Sequence, residues 1–232
     1  MDMSVIADSR KGCIELESVP TVLSEVHARR LIRLLSAALQ LREQALAVWL
    51  DLEWRHHGTG MLQAYLPGRD DARIHIWHPI LLLPGMTDSG GMHNHRFAFR
   101  STVLCGSLAH SNLRVRPDPE GAYGEWQIDL ASRSEDKDIR LIQRVDMQRQ
   151  DDVVFQTGAI YSLAKWQYHH ARPVNLGVTY VEISDKSQDK RASLLAPFGQ
   201  KPVAAFGNPV HESIAVGFIL AAHDMLGGRR RA

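Results

Sequence analysis

The chain has 232 residues, 44% of them hydrophobic, enough for a sizeable core in one domain. Its formal charge of +1 gives no bulk attraction to nucleic acid, and the closing Arg229-Arg230-Arg231 run reads as a solvated end. Two cysteines, Cys13 and Cys105, allow one bridge at most, the N-terminus lacks a signal-peptide pattern, and no apolar run nears the ~18 residues of a membrane span. These features lead us to expect a reduced, cytoplasmic protein with neither a nucleic-acid nor a membrane partner.

In chain order, residues 13–18 alternate apolar and polar as a short strand would. From Thr21, Val22, Val26, Leu31, Leu34, Leu35 and Leu39 recur at helical spacing after Pro20 and before a second helical stretch over 41–54. His56-His57-Gly58 is expected to end that helix. Beyond Gly60 the pattern is strand-like to about residue 184. Arg73-Ile74-His75-Ile76-Trp77-His78 alternates, and further strands are expected at 62–66, 96–105, 107–115, 124–130, 139–144, 152–155, 159–163 and 176–184. Short Gly, Asp and Pro turns between them point to an all-β sandwich or barrel. Pro197, Pro202 and Pro209 read as an extended linker, and 210–225 as an amphipathic helix. The expected organisation is a strand and helices over 1–59, a β core over 60–190, and a linker and helix over 191–232, in one globular unit.

Twelve histidines are the notable count, and Met92-His93-Asn94-His95-Arg96 is where they matter most. On a strand, residues i and i+2 share a face, so His93 and His95 can bind one metal ion together. A third ligand must come from a distant strand, and the segment from Gly158 to His170 supplies it.

Here the sequence resembles the cupin superfamily. Its first motif runs His-x-His, three or four residues, Glu, six residues, Gly; its second opens on Gly and places a His eleven residues later. His93-Asn94-His95 is followed by Gly106, with six residues between Phe99 and that glycine, and His169 stands eleven after Gly158. Phe99 (Arg100 on the longer spacing) occupies the glutamate position. Gly85 lies two residues further from His93 than the first motif expects, and Ala164-Lys165-Trp166 replaces the Pro-x-Gly of the second. The resemblance covers roughly residues 73–184 and implies a mainly β, double-stranded β-helix (jelly-roll) barrel, flanked here by N-terminal helices and a C-terminal helix. It implies a metal on His93, His95 and His169. Without the carboxylate it is most similar to the cysteine-dioxygenase-type cupins, which hold iron on three histidines.

The resulting expectation is an Fe2+-dependent, dioxygenase-like oxidoreductase acting on a small-molecule substrate. The alternative is a non-redox cupin, an isomerase, lyase or sensor, with Zn2+, Mn2+ or Ni2+ in place of iron. Tyr161 is the candidate catalytic residue, a hydrogen-bond donor on the strand leading to His169. His170 is expected to be exposed, Arg96 and Arg100 to face outward, and Phe97 and Phe99 to share the His93/His95 face. Cys105 falls on that parity too, unless the strand bulges. His75 is read as a hydrogen-bonded core or surface residue, and His57 as needing no functional role. Pairing of two barrels into a homodimer is the assembly the resemblance allows.

Overall fold

A computed structural model describes residues 44, 46–57, 59–82, 91–129, 139–150, 152–189, 191–202 and 206–227. The strand expected at 13–18 and the helix expected from 21 lie outside the described residues, as does Cys13. Residues 44–232 fall in one compact unit.

The molecule is mainly β, with two antiparallel sheets and a C-terminal helix. Among the described residues the first sheet has seven strands, in the order β13-β1-β2-β3-β11-β4-β9. These are β1 (Arg55–His57), β2 (Thr59–Tyr65), β3 (Ala72–Leu82), β4 (Ala98–Cys105), β9 (Ile160–Leu163), β11 (Gly177–Ser184) and β13 (Phe206–Pro209). The second has six: β10 (Tyr168–Pro173), β5 (Ser107–Pro117), β7 (Ile139–Arg149), β6 (Tyr123–Asp129) and β12 (Arg191–Pro197) in that order, with β8 (Val153–Gln156) also on β5.

Alternation on β3 divides its side chains between two faces. Ile74 and Ile76 join Leu62, Ala64 and Val178 in a cluster closed by Trp54 and by Ala215, Ile219 and Ala222 of the helix Glu212–Leu226. Arg73, His75 and Trp77 point the other way, into the pocket described below. Behind that pocket, Met61 and Trp77 pack with Leu108 and Ala171 of the second sheet.

Three stretches differ from the sequence expectation. The second helix ends earlier: it is helical through Leu50, Asp51 N closes the last turn on Ala47 O and Val48 O, and Arg55–His57 is strand β1. The supposed linker from residue 191 opens with β12, which pairs along its full length with β6, and later holds β13. Prolines fit there because Pro197 and Pro209 are the last residues of strands at sheet edges. Finally, Tyr168–Pro173 is a strand, so His169 sits in a ladder opposite Asn112 of β5. The C-terminal helix lies within two residues of its expected start, with the His211 side chain accepting from Ser213 N at its N-cap.

Candidate metal centre

His93 and His95 are not on a regular strand. They lie on an irregular segment ahead of β4, in which His93 alone makes bridges, one to His169 and one to Leu194. The backbone nevertheless holds this segment firmly between the two edge strands of the second sheet. His93 N donates to His169 O (3.1 Å) and His169 N to His93 O (2.9 Å). On the other side Asn94 N donates to Ser193 O, and Ser193 N donates back to Asn94 Oδ1 at 2.8 Å. Asn94, buried between the two histidines, therefore fixes their backbone to β12.

The three imidazoles converge through their Nε2 atoms. His93 Nε2 is 3.1 Å from His95 Nε2, which is 3.0 Å from His169 Nε2. Among the described residues this is the one cluster of three or more potential ligands of this kind. The far side of two rings is spoken for. His93 Nδ1–H donates to Gly91 O at 2.6 Å, which leaves an Nε2 lone pair facing the cluster. His169 Nδ1 lies 3.1 Å from His110 Nε2 on β5. His95 is held by aromatic contact, stacked on Phe97 at 4.9 Å and edge-on to Phe99 at 5.3 Å.

All three rings are held neutral. Burial pushes His93 below the ordinary imidazole range, and for His95 and His169 burial and then the neighbouring His93 push it well below. Three neutral rings cannot satisfy these contacts with protons alone. His93 offers only a lone pair, and one hydrogen on His95 Nε2 serves one of its two short contacts. A cation shared among the nitrogens resolves this, and the set of three histidines fits one. The 3.0–3.1 Å spacings match two nitrogens about 2.1 Å from one ion at roughly a right angle, where a tetrahedral angle would part them by about 3.4 Å.

The rest of the pocket is largely apolar and holds no acid among the residues that line it. Phe97 and Phe99 wall it, as their parity with His93 and His95 predicts. Phe99 is a buried ring 6.0 Å from that of His169. Tyr161 lines the pocket from β9, its ring stacked on Phe155 at 4.6 Å. Burial pushes its phenol up to about 12, so it stays protonated at neutral pH.

Several sequence expectations are corrected here. His170 is buried, not exposed: it is 1% accessible and Arg149 donates to its Nδ1 at 3.0 Å. Arg100 is exposed, but Arg96 is half-buried and donates to Ser187 O at 2.9 Å. Cys105 turns to the helix-side cluster, away from the pocket, where the β4–β11 pairing shifts register between Val103 and Cys105. His57, expected to end a helix, is a buried strand residue on the pocket wall, its Nδ1 2.8 Å from Thr59 Oγ1. His75 also lines the pocket, and its buried Nε2 has no hydrogen-bond partner among the described residues. Asn94 and His110 were not singled out from the sequence, because their partners Ser193 and His169 are remote along the chain.

No protein-family profile matches the sequence, and no curated protein matches it. Among solved structures, similarity is found to Drosophila melanogaster CENP-C bound to CAL1, at 8% identity over 63% of this chain and 98% of that one, with a TM-score of 0.33. It is also found to the C-terminal family 22 carbohydrate-binding module of Clostridium thermocellum Xyn10B, at 14% identity over 62% and 75%, with a TM-score of 0.14. Neither likeness is close enough to carry an argument about fold or function.

Proposed function

We propose that this protein is a metal-dependent cupin, an Fe2+-dependent dioxygenase-like oxidoreductase acting on a small molecule, with His93, His95 and His169 as the metal ligands. The observation that carries the reading is the convergence of three neutral imidazole nitrogens, with His95 Nε2 at 3.0–3.1 Å from the other two, in a pocket with no acid among its described lining residues. Three imidazole donors without a carboxylate suit iron, and equally the other divalent metals that nitrogen sites take. When bound, iron would supply the redox chemistry, and three protein ligands would leave positions open for small molecules. On this reading the two facing sheets are the halves of a cupin jelly roll.

The chain's own residues supply position and dryness. Gly91 O and His110 set the ring orientation of His93 and His169, so that Nε2 is the nitrogen presented. Phe97, Phe99 and Trp77 exclude water from the substrate's flank. Tyr161 keeps its proton and is the phenolic donor available to a substrate oxygen.

Elemental analysis of untagged protein, beside a His93→Ala/His169→Ala double variant, tests the reading. Near-stoichiometric iron in the parent, none in the variant, and oxygen uptake with a thiol, diketone or aromatic substrate is the expected result. Tightly held zinc, manganese or nickel without oxygen uptake would favour the non-redox alternative. Equal trace metal in both proteins would remove the metal site altogether.

A further inference from the structure

The two histidine-bearing stretches are joined a second time, away from the pocket. Glu125, half-buried on β6, takes two hydrogen bonds on one carboxylate oxygen. Tyr168 O–H donates to Glu125 Oε1 at 2.6 Å, and Ser193 Oγ–H donates to the same oxygen at 2.9 Å. Gln143 Nε2, from β7, donates to Glu125 Oε2 at 2.7 Å. None of these four side chains lines the pocket.

The two hydroxyl partners flank the histidines. Tyr168 immediately precedes His169 on β10, and Ser193 precedes Leu194 on β12, so each stands beside one of the two residues that His93 bridges. β10 and β12 are the edge strands between which the His93–His95 segment lies. Ser193 also carries Asn94, donating from its N to Asn94 Oδ1 and accepting at its O from Asn94 N. Met92, one residue before His93, packs in one cluster with Tyr168 and Leu195, and its O accepts from Leu195 N at 2.9 Å. Hydrogen bonds to a carboxylate are about twice as strong as neutral ones. A single charged group therefore ties together the two edges, and their separation sets how far His169 stands from His93 and His95.

We propose that Glu125 is a positioning residue of the metal centre. By drawing Tyr168 and Ser193 onto one oxygen it sets the gap between β10 and β12, and so the convergence of His169 on His93 and His95. Glu125 touches neither the ion nor a substrate in this role; it acts through the backbone of both histidine-bearing segments. The inference rests on the three histidines holding an ion, and is independent of which ion it is and of whether the reaction is redox.

The test uses the full chain, stripped with a chelator and titrated with cobalt(II) against a chromophoric competitor. Visible absorption of the loaded protein and a thermal melt of the metal-free protein are recorded for each variant. Glu125→Ala is expected to lose about tenfold or more in cobalt affinity and to alter the absorption. Tyr168→Phe, which keeps the ring and removes the donor, should lose about threefold or more. Glu125→Gln keeps an acceptor for both hydroxyls without the charge, and should bind cobalt more tightly than Glu125→Ala. Ile219→Val, in the cluster under the C-terminal helix, is the control for general loosening, and should lower the melt without changing affinity or absorption. Should Glu125→Ala fail to fold, Tyr168→Phe decides, since it conserves volume. Folded Glu125→Ala and Tyr168→Phe variants with the parent's affinity and absorption would overturn the proposal. So would an equal loss of affinity in Ile219→Val, or no recovery in Glu125→Gln. A parent that binds no more cobalt than His93→Ala/His169→Ala would remove the metal reading itself, and this inference with it.

Discussion

At the scale of single residues, His110 is the strongest supporting group behind the site. Burial pushes it down to about 4, so it is neutral, and its Nε2 can accept from His169 Nδ1–H only if its own hydrogen is on Nδ1. The ring is packed at 5.1 Å from Tyr161 and 5.9 Å from Phe155. His110→Phe should therefore keep the packing and lose the acceptor. Groups of this kind are worth about 10–100-fold in metal affinity, and that loss is expected in competition against a chromophoric chelator, with partial recovery in His110→Asn. Unchanged affinity in both would mean that β10 alone orients His169. The contrast with the three clustered histidines explains what a sequence can reveal. His93, His95 and His169 were legible because their spacing to Gly106 and Gly158 is written along the chain. His110 was not, because it meets His169 only through the β5–β10 register, in which it faces Ala171. His57 reaches the pocket through the same kind of cross-strand placement.

At the scale of elements, the same two glycines show why the motif spacing has physical content. Gly106 lies between β4 and β5 at φ +76°, and Gly158 lies between β8 and β9 at φ +87°, both in the left-handed region. Their surroundings differ. A Cβ at Gly106 would stand 2.2 Å from Leu176 O and 2.6 Å from Gly177 Cα, all backbone, whereas one at Gly158 meets nothing within 4 Å. Gly158→Ala is thus expected to cost about 1–2 kcal/mol from backbone strain alone. Gly106→Ala should cost more, about 3 kcal/mol or above, because the β4–β5 turn must part from the start of β11. Urea unfolding of both variants checks the order, and equal losses would show that Leu176 yields. Strands were read where one face is apolar and the other is not, as on β3. Tyr168–Pro173 and Arg191–Pro197 escaped because their buried positions do not alternate: His169, His170 and Ala171 are buried in succession, as are Leu194, Leu195 and Ala196. Such strands are set by what packs on both sides of them, which a period-2 pattern does not record.

At the scale of the whole molecule, the pocket places neutral histidines where water would otherwise keep them titratable, and stability must then depend on pH. His75 is pushed down to about 3, by burial and then by Arg73; His57 is pushed well below its ordinary value, by burial first and the nearby histidines next. The sign follows from proton uptake. In the unfolded chain both rings take up a proton as pH falls through about 6.5, while the folded protein refuses it. Their neutral state thus contributes full stability above about pH 6.5, and stability is lost progressively below it, for His75 down to about pH 3. Each such ring removes about 1.4 kcal/mol per pH unit in that window, so the pair removes about 3 kcal/mol per unit. A domain with a net stability of about 5–15 kcal/mol cannot withstand that for many units. Metal-stripped protein, followed by urea unfolding at about pH 7.5, 6 and 5, should show a flat upper limb and a steep fall below about 6.5. His75→Leu should reduce the slope of that fall by about 1.4 kcal/mol per unit while leaving the cluster His93, His95 and His169 in place. A slope unchanged by His75→Leu would mean that this ring is protonated in the folded state. Its buried Nε2 would then be a donor facing the pocket, a second cation beside Arg73.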